Sequence, residues 1–275
     1  MATIRRSPAW PDLRVKPSFG AAQINWGHPL ANQLVAAVLI NEGGGLPRNL
    51  VRSDAFSSTA PPSWTIGPNG LALDGNGTTQ YAGIGRAFIA DYPGTMMMVG
   101  EAVGTAQHNI VSVAYTGSNT ASLGVRMGDG TSLILSGWIY NTSAFTSTNG
   151  ATTLTAGRTY TGLHVWNTAT SRILYLNGVQ DGSSTSSQTM VAGMNTSDML
   201  RLNRTTVIYY PGKKLALWYV WTRALSATEA LWLHAEPYAF LQPVIRRRWF
   251  ALAAAEAPTG GVVTPRSLGL LGVGA

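Results

Sequence analysis

The sequence predicts an all-β protein, an antiparallel two-sheet sandwich with one short helix near the C-terminal end and extended arms at both termini. Three observations predict this class. About a dozen short apolar or aromatic segments are separated by turn residues. These segments do not alternate with helical patterns, as the strands of a βαβ fold would. A single helix start signal follows the last of them.

The predicted strands run through the whole body of the chain. Each is rich in aliphatic, aromatic or β-branched residues and has the length of a strand. In chain order they are residues 34–40, 70–73, 80–84, 96–103, 109–115, 123–127, 133–138, 160–166, the hairpin 173–180, 200–202, 207–209 and 214–221. Within 160–166, alternation puts Leu163 and Val165 on one face of the strand and His164 and Trp166 on the other.

Two turns and the helix have strong local signals. Asn177-Gly178 supplies the positive φ angles that a two-residue type I′ hairpin turn requires. Residues 74–77 read Asp-Gly-Asn-Gly, another turn signal. Ser226 and Glu229 have the spacing of a reciprocal capping box, and Pro237 ends the predicted helix.

The boundaries of the domain follow from composition. Residues 1–30 hold four prolines among basic and aromatic residues, which predicts an extended N-terminal arm and no sheet strand. Residues 31–240 form the predicted sandwich. Residues 241–275 form a basic, Gly-rich C-terminal arm, whose last part would be disordered without a partner.

Charge is low in the body and concentrated at the ends. Charged residues make up 11% of the chain, against about 25% in a typical domain. A surface partly covered by neighbours or a β surface rich in Thr, Ser and Asn would each explain this. Residues 20–240 have a net charge of +1, and the two ends together have +6. This favours arms that meet an acidic partner surface, although basic ends can also serve solubility alone.

The predicted partner contacts lie in these arms. They are Arg5, Arg6, Arg14, Arg246, Arg247, Arg248, Trp249 and Phe250. The run of three arginines, Trp and Phe could contact the phosphates and bases of a nucleic acid. Because it stands alone, without a basic face, docking to a protein is favoured and nucleic acid is disfavoured.

Most chemical motifs are absent from the sequence. Without cysteine there is no thiol nucleophile, disulfide or Cys-ligated metal. The four histidines do not cluster, and no nucleophile elbow or phosphate loop occurs. No run is long and apolar enough to span a bilayer or act as a secretory signal. The sequence therefore predicts no cofactor and no membrane association.

Three groups of segments together resemble the laminin-G-like branch of the concanavalin-A-like jelly-roll superfamily. They are QLVAAVLINEGGG at 33–45, GLALDGNGTTQYAGI at 70–84 with RILYLNGV at 172–179, and the strand and helix at 214–236. The flanks INWGHPL at 24–30 and EPYAFLQPVIRRRWF at 236–250 are similar to a version of this domain found among tailed-bacteriophage proteins.

The resemblance implies a non-enzymatic structural protein of a phage virion that is assembled in the host cytoplasm. The preferred version is a capsid-decorating protein, a homo-oligomer whose basic termini attach to the major capsid protein or other virion proteins. Glycosidases also occur in the superfamily, but the twelve acids here are dispersed and do not form the carboxylate pair that they need.

Related domains often bind calcium. Asp54, Asp74 and Asn76 are the donors in matching regions of this chain, but Lys213 and Lys214 would oppose a cation near the last strand. We therefore expect no metal and no enzymatic activity.

The alternative function is a lectin-like carbohydrate-binding module of a tail or fibre. Its predicted glycan contacts are Tyr209 and Tyr210, just before a proline. Trp138, Tyr140 and Trp166 are further candidates, although Trp in a sandwich is commonly a core or interface anchor.

Overall fold

The structure, a computed structural model, describes residues 12, 14–119, 121–141, 144–190, 193–206, 208–209 and 211–244, with the backbone alone at 109, 209 and 211–213. Within these residues it has one 3₁₀ helix, Pro29–Ala31, one α-helix and nineteen strands. The strands and the helix are β1 Ala22–Ile24, β2 Leu34–Val38, β3 Ser63–Gly67, β4 Gly70–Asn76, β5 Ala82–Ile84, β6 Gly94–Glu101, β7 His108–Ala114, β8 Ser122–Met127, β9 Leu135–Tyr140, β10 Phe145–Asn149, β11 Thr159–Thr168, β12 Ser171–Leu176, β13 Val179–Ser184, β14 Thr196–Met199, β15 Arg201–Leu202, β16 Ile208–Tyr209, β17 Pro211–Leu215, β18 Leu217–Trp221, α1 Ala227–Ala235 and β19 Leu241–Pro243.

Two six-stranded sheets make the sandwich. The β9 sheet has the order β10-β9-β8-β7-β14-β5, and the β11 sheet has the order β13-β12-β11-β6-β18-β2. Every pairing in both sheets is antiparallel. The predicted fold class, an all-β antiparallel sandwich with one short helix, is confirmed.

The main core lies between the two sheets. Val111 and Leu123 from the β9 sheet belong to the same buried cluster as Met98, Trp166 and Trp218 from the β11 sheet. Each such side chain contributes about 1.5–3 kcal/mol by leaving water. The alternation predicted for β11 is confirmed, since its Leu and Val side chains at 163 and 165 belong to a different cluster.

That second cluster covers the other face of the β11 sheet. Helix α1 contributes Ala230 and Leu233, and the 3₁₀ helix contributes Leu30. The indole N–H of Trp221 donates to the carbonyl of Leu30 at 2.7 Å, which ties this layer to the sheet. The sandwich therefore has a third layer built from segments on either side of it in the chain.

Local signals read from the sequence are present in the structure. Ser226 Oγ accepts from the Glu229 N–H at 3.3 Å, and Glu229 Oε2 accepts from the Ser226 N–H at 2.9 Å, so the capping box is formed. Asn177 and Gly178 have φ angles of 50° and 80° between β12 and β13. None of the helices within the described residues is long and apolar enough to cross a membrane.

Parts of both expected arms belong to the folded body. Strand β1, expected in an arm without strands, pairs with β19, so that Gln23 lies opposite Gln242. The Lys16 ammonium donates to the carbonyls of Leu71 at 2.5 Å and Ala216 at 2.7 Å. The apolar side chains of Ala22, Ile24, Leu30 and Leu241, from residues 14–30 and 241–244, are buried in the third layer. The rest of both arms lies outside the described residues.

Candidate binding site on the outer face of the β9 sheet

The outer face of the β9 sheet is made of small, polar and aromatic side chains. Register places Gly83, Asp198, Ser112, Gly124 and Trp138 in one row across five strands. A side chain at Gly124 would overlap the Trp138 ring, so the glycine leaves room for the indole to lie against the sheet. Small residues therefore leave depressions on this outer face, whereas the inner face is filled by the side chains of the core.

A short segment that includes β15 lies over this face. Leu202 packs in a small cluster with Ile110, Ala114 and Trp138, and Ser112 Oγ donates to the carbonyl of residue 201 at 2.9 Å. Side chains alternate along the segment. Residues 201 and 203 line one cavity and residues 202 and 204 line another, so the segment is a wall between two cavities.

The cavity lined by residues 202 and 204, which we call the aromatic cavity, has a volume of about 180 Å³. It is lined by Gln107, Ser122, Arg126, Trp138, Tyr140, Phe145, Leu202 and Arg204. The rings of Tyr140 and Phe145 meet edge to face at 5.7 Å. Phe145 is 50% exposed and Trp138 only 2%, so Tyr140 and Phe145 are the rings that a ligand can reach.

Two guanidinium groups border the same cavity. Arg126 lies over the Trp138 ring, 5.2 Å from its centroid, and Arg204 lies over the Tyr140 ring at 5.9 Å. Arg204 also donates to the backbone carbonyl of Asn119. Its buried Nε has no hydrogen-bond acceptor among the described residues. The aromatic cavity therefore combines accessible rings with positive charge.

The cavity lined by residues 201 and 203, which we call the polar cavity, has a volume of about 480 Å³. Its lining includes Tyr81, Thr196 and Arg201. Behind it, Arg201 forms an ion pair with the buried Asp198 and lies over the Tyr81 ring, 3.4 Å from its centroid. Thr196 Oγ1 donates to Asp198 Oδ2 at 2.6 Å. Burial raises the pKa of Asp198, and Arg201 opposes the rise. Both oxygens of this carboxylate are thus held in place.

A third cavity, of about 540 Å³, lies on the other side of the molecule beside the end of α1. Its lining includes Arg14, Arg158, Tyr160 and His234. His234 Nδ1 is 3.2 Å from Thr161 Oγ1, and burial lowers the pKa of His234. Arg14 is the one predicted partner contact within the described residues, and it is exposed at the rim of this cavity.

The other predicted contacts cannot be placed in a site. Arg5, Arg6, Arg246, Arg247, Arg248, Trp249, Phe250 and Tyr210 lie outside the described residues. The backbone of Tyr209 pairs with Arg201 in the β15–β16 hairpin, close to the wall between the two cavities.

Among the further glycan candidates, only Tyr140 has an accessible ring. Trp166 is fully buried between the sheets, where its ring lies 4.2 Å from that of His164, and Trp138 forms the covered floor of the aromatic cavity. Sequence reasoning missed Arg126, Phe145 and Arg204 as site residues. The alternation of β8 was a usable signal for Arg126, since Leu123 and Val125 face the core.

Two of the three side chains considered for calcium have other partners. Asp54 forms an ion pair with Arg86. Asn76 Oδ1 accepts from three backbone N–H groups of its own loop, at residues 78–80. Lys214 pairs with Glu101 at 2.6 Å. The described part of the chain holds no cluster of three or more His, Asp or Glu that could bind a metal.

Comparison with known proteins finds similarity in structure and none in sequence. No protein-family model and no curated protein matches the sequence. The structure is similar to the binding domain of Paraclostridial Mosquitocidal Protein 1, with a TM-score of 0.58 and 12% identity over 74% of this chain and 52% of that one. It is also similar to domain 4 of AbnA, an extracellular arabinanase from Geobacillus stearothermophilus, solved with arabinotriose. The TM-score is 0.53 with 15% identity, over 74% of this chain and 98% of that domain.

A third similar structure is Trypanosoma rangeli sialidase, with a TM-score of 0.54 and 14% identity over 74% of this chain and 33% of the sialidase. This chain thus spans about half the length of the mosquitocidal binding domain and a third of the sialidase. At such identities the similarity establishes the β-sandwich fold alone.

Proposed function

We propose that this chain is a non-enzymatic, lectin-like module that binds carbohydrate in the aromatic cavity. The observation that carries the proposal is the pair of reachable rings, Tyr140 and Phe145, packed edge to face beside two guanidinium groups. Sugar rings stack their C–H faces on such aromatic surfaces, and polar side chains around them fix orientation. The AbnA domain supports this, because it has the same fold over nearly its whole length and was solved with an arabinose oligosaccharide.

The size of the cavity favours a terminal sugar unit as ligand. At about 180 Å³ it is smaller than the roughly 300–1,000 Å³ that encloses a drug-sized ligand. The larger polar cavity, on the other side of the wall at 201–204, offers hydroxyl and amide groups for further units of a chain.

A binding role without catalysis agrees with the lining of both cavities. Glycoside hydrolysis commonly needs two carboxyl groups on either side of the scissile bond. No acidic residue lines either cavity within the described residues. The carboxylate closest to the polar cavity, Asp198, is buried and is held by Arg201 and Thr196.

Glycan-array screening followed by calorimetric titration of the best ligands tests the proposal. Phe145→Ala removes an exposed ring with little effect on the core. It is expected to weaken binding by roughly 2- to 12-fold, the equivalent of about 0.5–1.5 kcal/mol for one aromatic contact. Phe19→Ala is the matched control, because Phe19 is also exposed (52%) and also lies near a guanidinium, that of Arg48. An array without binding, or equal losses in both variants, would contradict the proposal.

A second candidate function, a capsid-decorating structural protein of a phage virion, rests on the distribution of charge. The two ends of the chain carry a net +6 of the total +7, as expected for arms that attach to an acidic surface of the major capsid or another virion protein. The resemblance of the flanks to phage proteins supports it. A chain lacking residues 245–275 keeps every described strand, so it is expected to fold yet fail to enter particles. Normal incorporation of this truncated chain would contradict the second candidate.

A further inference from the structure

The aromatic cavity has a positively charged lining. Arg126 and Arg204 both line it, and no acidic side chain does so within the described residues. Arg126 interacts electrostatically with Asp129, beyond the lining. Asp129 Oδ1 is already occupied, since it accepts from the backbone N–H groups of Thr131 at 2.8 Å and Ser132 at 2.7 Å. Arg126 therefore has an acidic neighbour outside the cavity, and the group of interest is the Arg204 guanidinium.

Arg201 on the same segment shows the opposite situation. Its guanidinium is neutralised by the buried Asp198. Arg204, three residues on, has a neutral hydrogen-bond acceptor within the described residues, the backbone carbonyl of Asn119. Arg204 keeps a buried Nε without an acceptor in the part of the chain described by the structure. A buried donor without a partner costs free energy, more so on a charged group.

We propose that the sugar bound in the aromatic cavity is acidic, with a carboxylate or sulfate held by Arg204 in the field of Arg126. This rests on the proposed function, and it names the chemical class of the ligand. Guanidinium binds planar carboxylates and sulfate oxygens through paired hydrogen bonds. Because Arg204 lies over the Tyr140 ring, an anionic group beside it brings the sugar ring onto Tyr140 and Phe145.

A neutral sugar would satisfy this site less well. Its hydroxyl groups can accept from Arg204, but they bring no charge to pair with the Arg204 guanidinium, and a partly buried charge interacts more strongly than one in bulk water. A charge-assisted hydrogen bond contributes about 1.5–3 kcal/mol, so loss of the anionic group is expected to weaken binding by about tenfold or more.

A nucleic-acid strand offers anions and rings as well. Such strands are bound along a basic groove several nucleotides long, and the body of this chain has a net charge of only +1 over residues 20–240. A single anionic sugar fits two guanidinium groups better than a polyanion does. A single-stranded DNA oligonucleotide nevertheless belongs in the test.

The experiment is calorimetric titration of the full chain with matched pairs of oligosaccharides. One pair ends in glucuronic acid or glucose, and a second is a sialylated oligosaccharide with its desialylated form. We expect the acidic member of at least one pair to bind about tenfold more tightly, with a preference that falls as salt rises. Arg204→Gln is expected to abolish the preference, because the acidic member loses more affinity than its neutral partner does.

The control is Arg48→Gln, because Arg48 is exposed and lies over the Phe19 ring at 5.8 Å, away from the cavity. It is expected to keep the preference, and thermal unfolding checks that both variants fold. Equal binding of acidic and neutral partners would overturn the inference and leave the proposed function standing. Absence of binding to every glycan would overturn both. If the DNA oligonucleotide displaces the bound sugar, and Arg204→Gln abolishes this displacement, the ligand of the site is a nucleic acid and the inference is overturned.

Discussion

The imidazole ring of His164, on β11, lies directly against the α-carbon of Gly137, on β9 in the facing sheet. A side chain at Gly137 would overlap the ring. Nδ1 of the same ring is 3.4 Å from the carbonyl oxygen of Gly124, on β8. The two sheets approach closely here, directly beneath Trp138, whose ring forms the floor of the aromatic cavity on the other face of the β9 sheet. The contact between the sheets therefore helps to fix the position of the candidate site.

Gly137→Ala is expected to destabilise the fold. The added methyl group must displace a fully buried imidazole, and overpacking of this kind costs about 1–3 kcal/mol. Chemical denaturation measures the change in the free energy of unfolding. Gly104→Ala is the control, because a methyl group there meets open space and should change stability by less than about 0.5 kcal/mol. Equal effects of the two substitutions would show that the sheets leave room for a methyl group between Gly137 and His164.

His164 is expected to make the protein sensitive to acid. Burial lowers the pKa of His164 to about 3. The unfolded chain takes up a proton near pH 6.5 and the folded chain does not, so stability is full above that pH and is lost progressively as pH falls toward 3. The slope from this one group is at most about 1.4 kcal/mol per pH unit. His164→Gln should flatten the dependence of the unfolding free energy on pH in this interval, and an unchanged slope would contradict the assignment.

Lys16 is expected to make the free energy of unfolding depend on pH above neutrality. Burial lowers its pKa to about 7, although Glu42 opposes the shift. Between pH 7 and about 10 the unfolded chain keeps the proton that the folded chain releases, so stability should rise with pH across this interval. Denaturation at pH 7, 8 and 9 measures the slope, before tyrosines in the unfolded chain ionise. Lys16→Met should remove the rise, and a variant with the same slope as the native chain would exclude Lys16 as its origin.

The folded body is expected to end between Phe240 and Val244. A chain ending at Val244 keeps β19, its pairing with β1 and the hydrogen bond from the Val244 N–H to the Ala21 carbonyl at 2.9 Å. A chain ending at Phe240 loses these and the fully buried Leu241, at a cost of about 1.5–3 kcal/mol for the leucine alone. Thermal unfolding of the two truncated chains should give a lower midpoint for the shorter one. Equal midpoints would place the boundary at 240, as composition alone suggested.

The sequence was most informative where local chemistry decides structure. The capping box at Ser226, the hairpin at Asn177 and the two faces of β11 all follow from short-range patterns. The strand Phe145–Asn149 escaped prediction, and the strand Val179–Ser184 was predicted only as far as Gln180, because both are polar edge strands that depend on a neighbour for their hydrogen bonds. Strand β1 was missed for a related reason, since its partner is more than two hundred residues away in the chain.

The candidate site was only partly visible in the sequence. Tyr140 was marked as a glycan contact and lines the cavity, but Trp138 and Trp166, marked on the same grounds, are buried. Arg204 and Phe145 lie in stretches rich in Ser, Thr and Asn, where periodicity gives no face. Both line the aromatic cavity because the segment from residue 201 to 206 lies over a sheet, and that arrangement is set by tertiary packing.

The most direct test of the central claim is to locate a bound sugar on the protein. Amide chemical-shift mapping of the full chain, titrated with the best ligand from a glycan array, reports which residues a ligand touches. We expect shifts confined to the aromatic cavity and its wall, around residues 122–126, 138–145 and 201–206, with no change near His234 on the other side of the molecule. Shifts centred on His234 and the end of α1, with the outer face of the β9 sheet unperturbed, would contradict a binding site in the aromatic cavity.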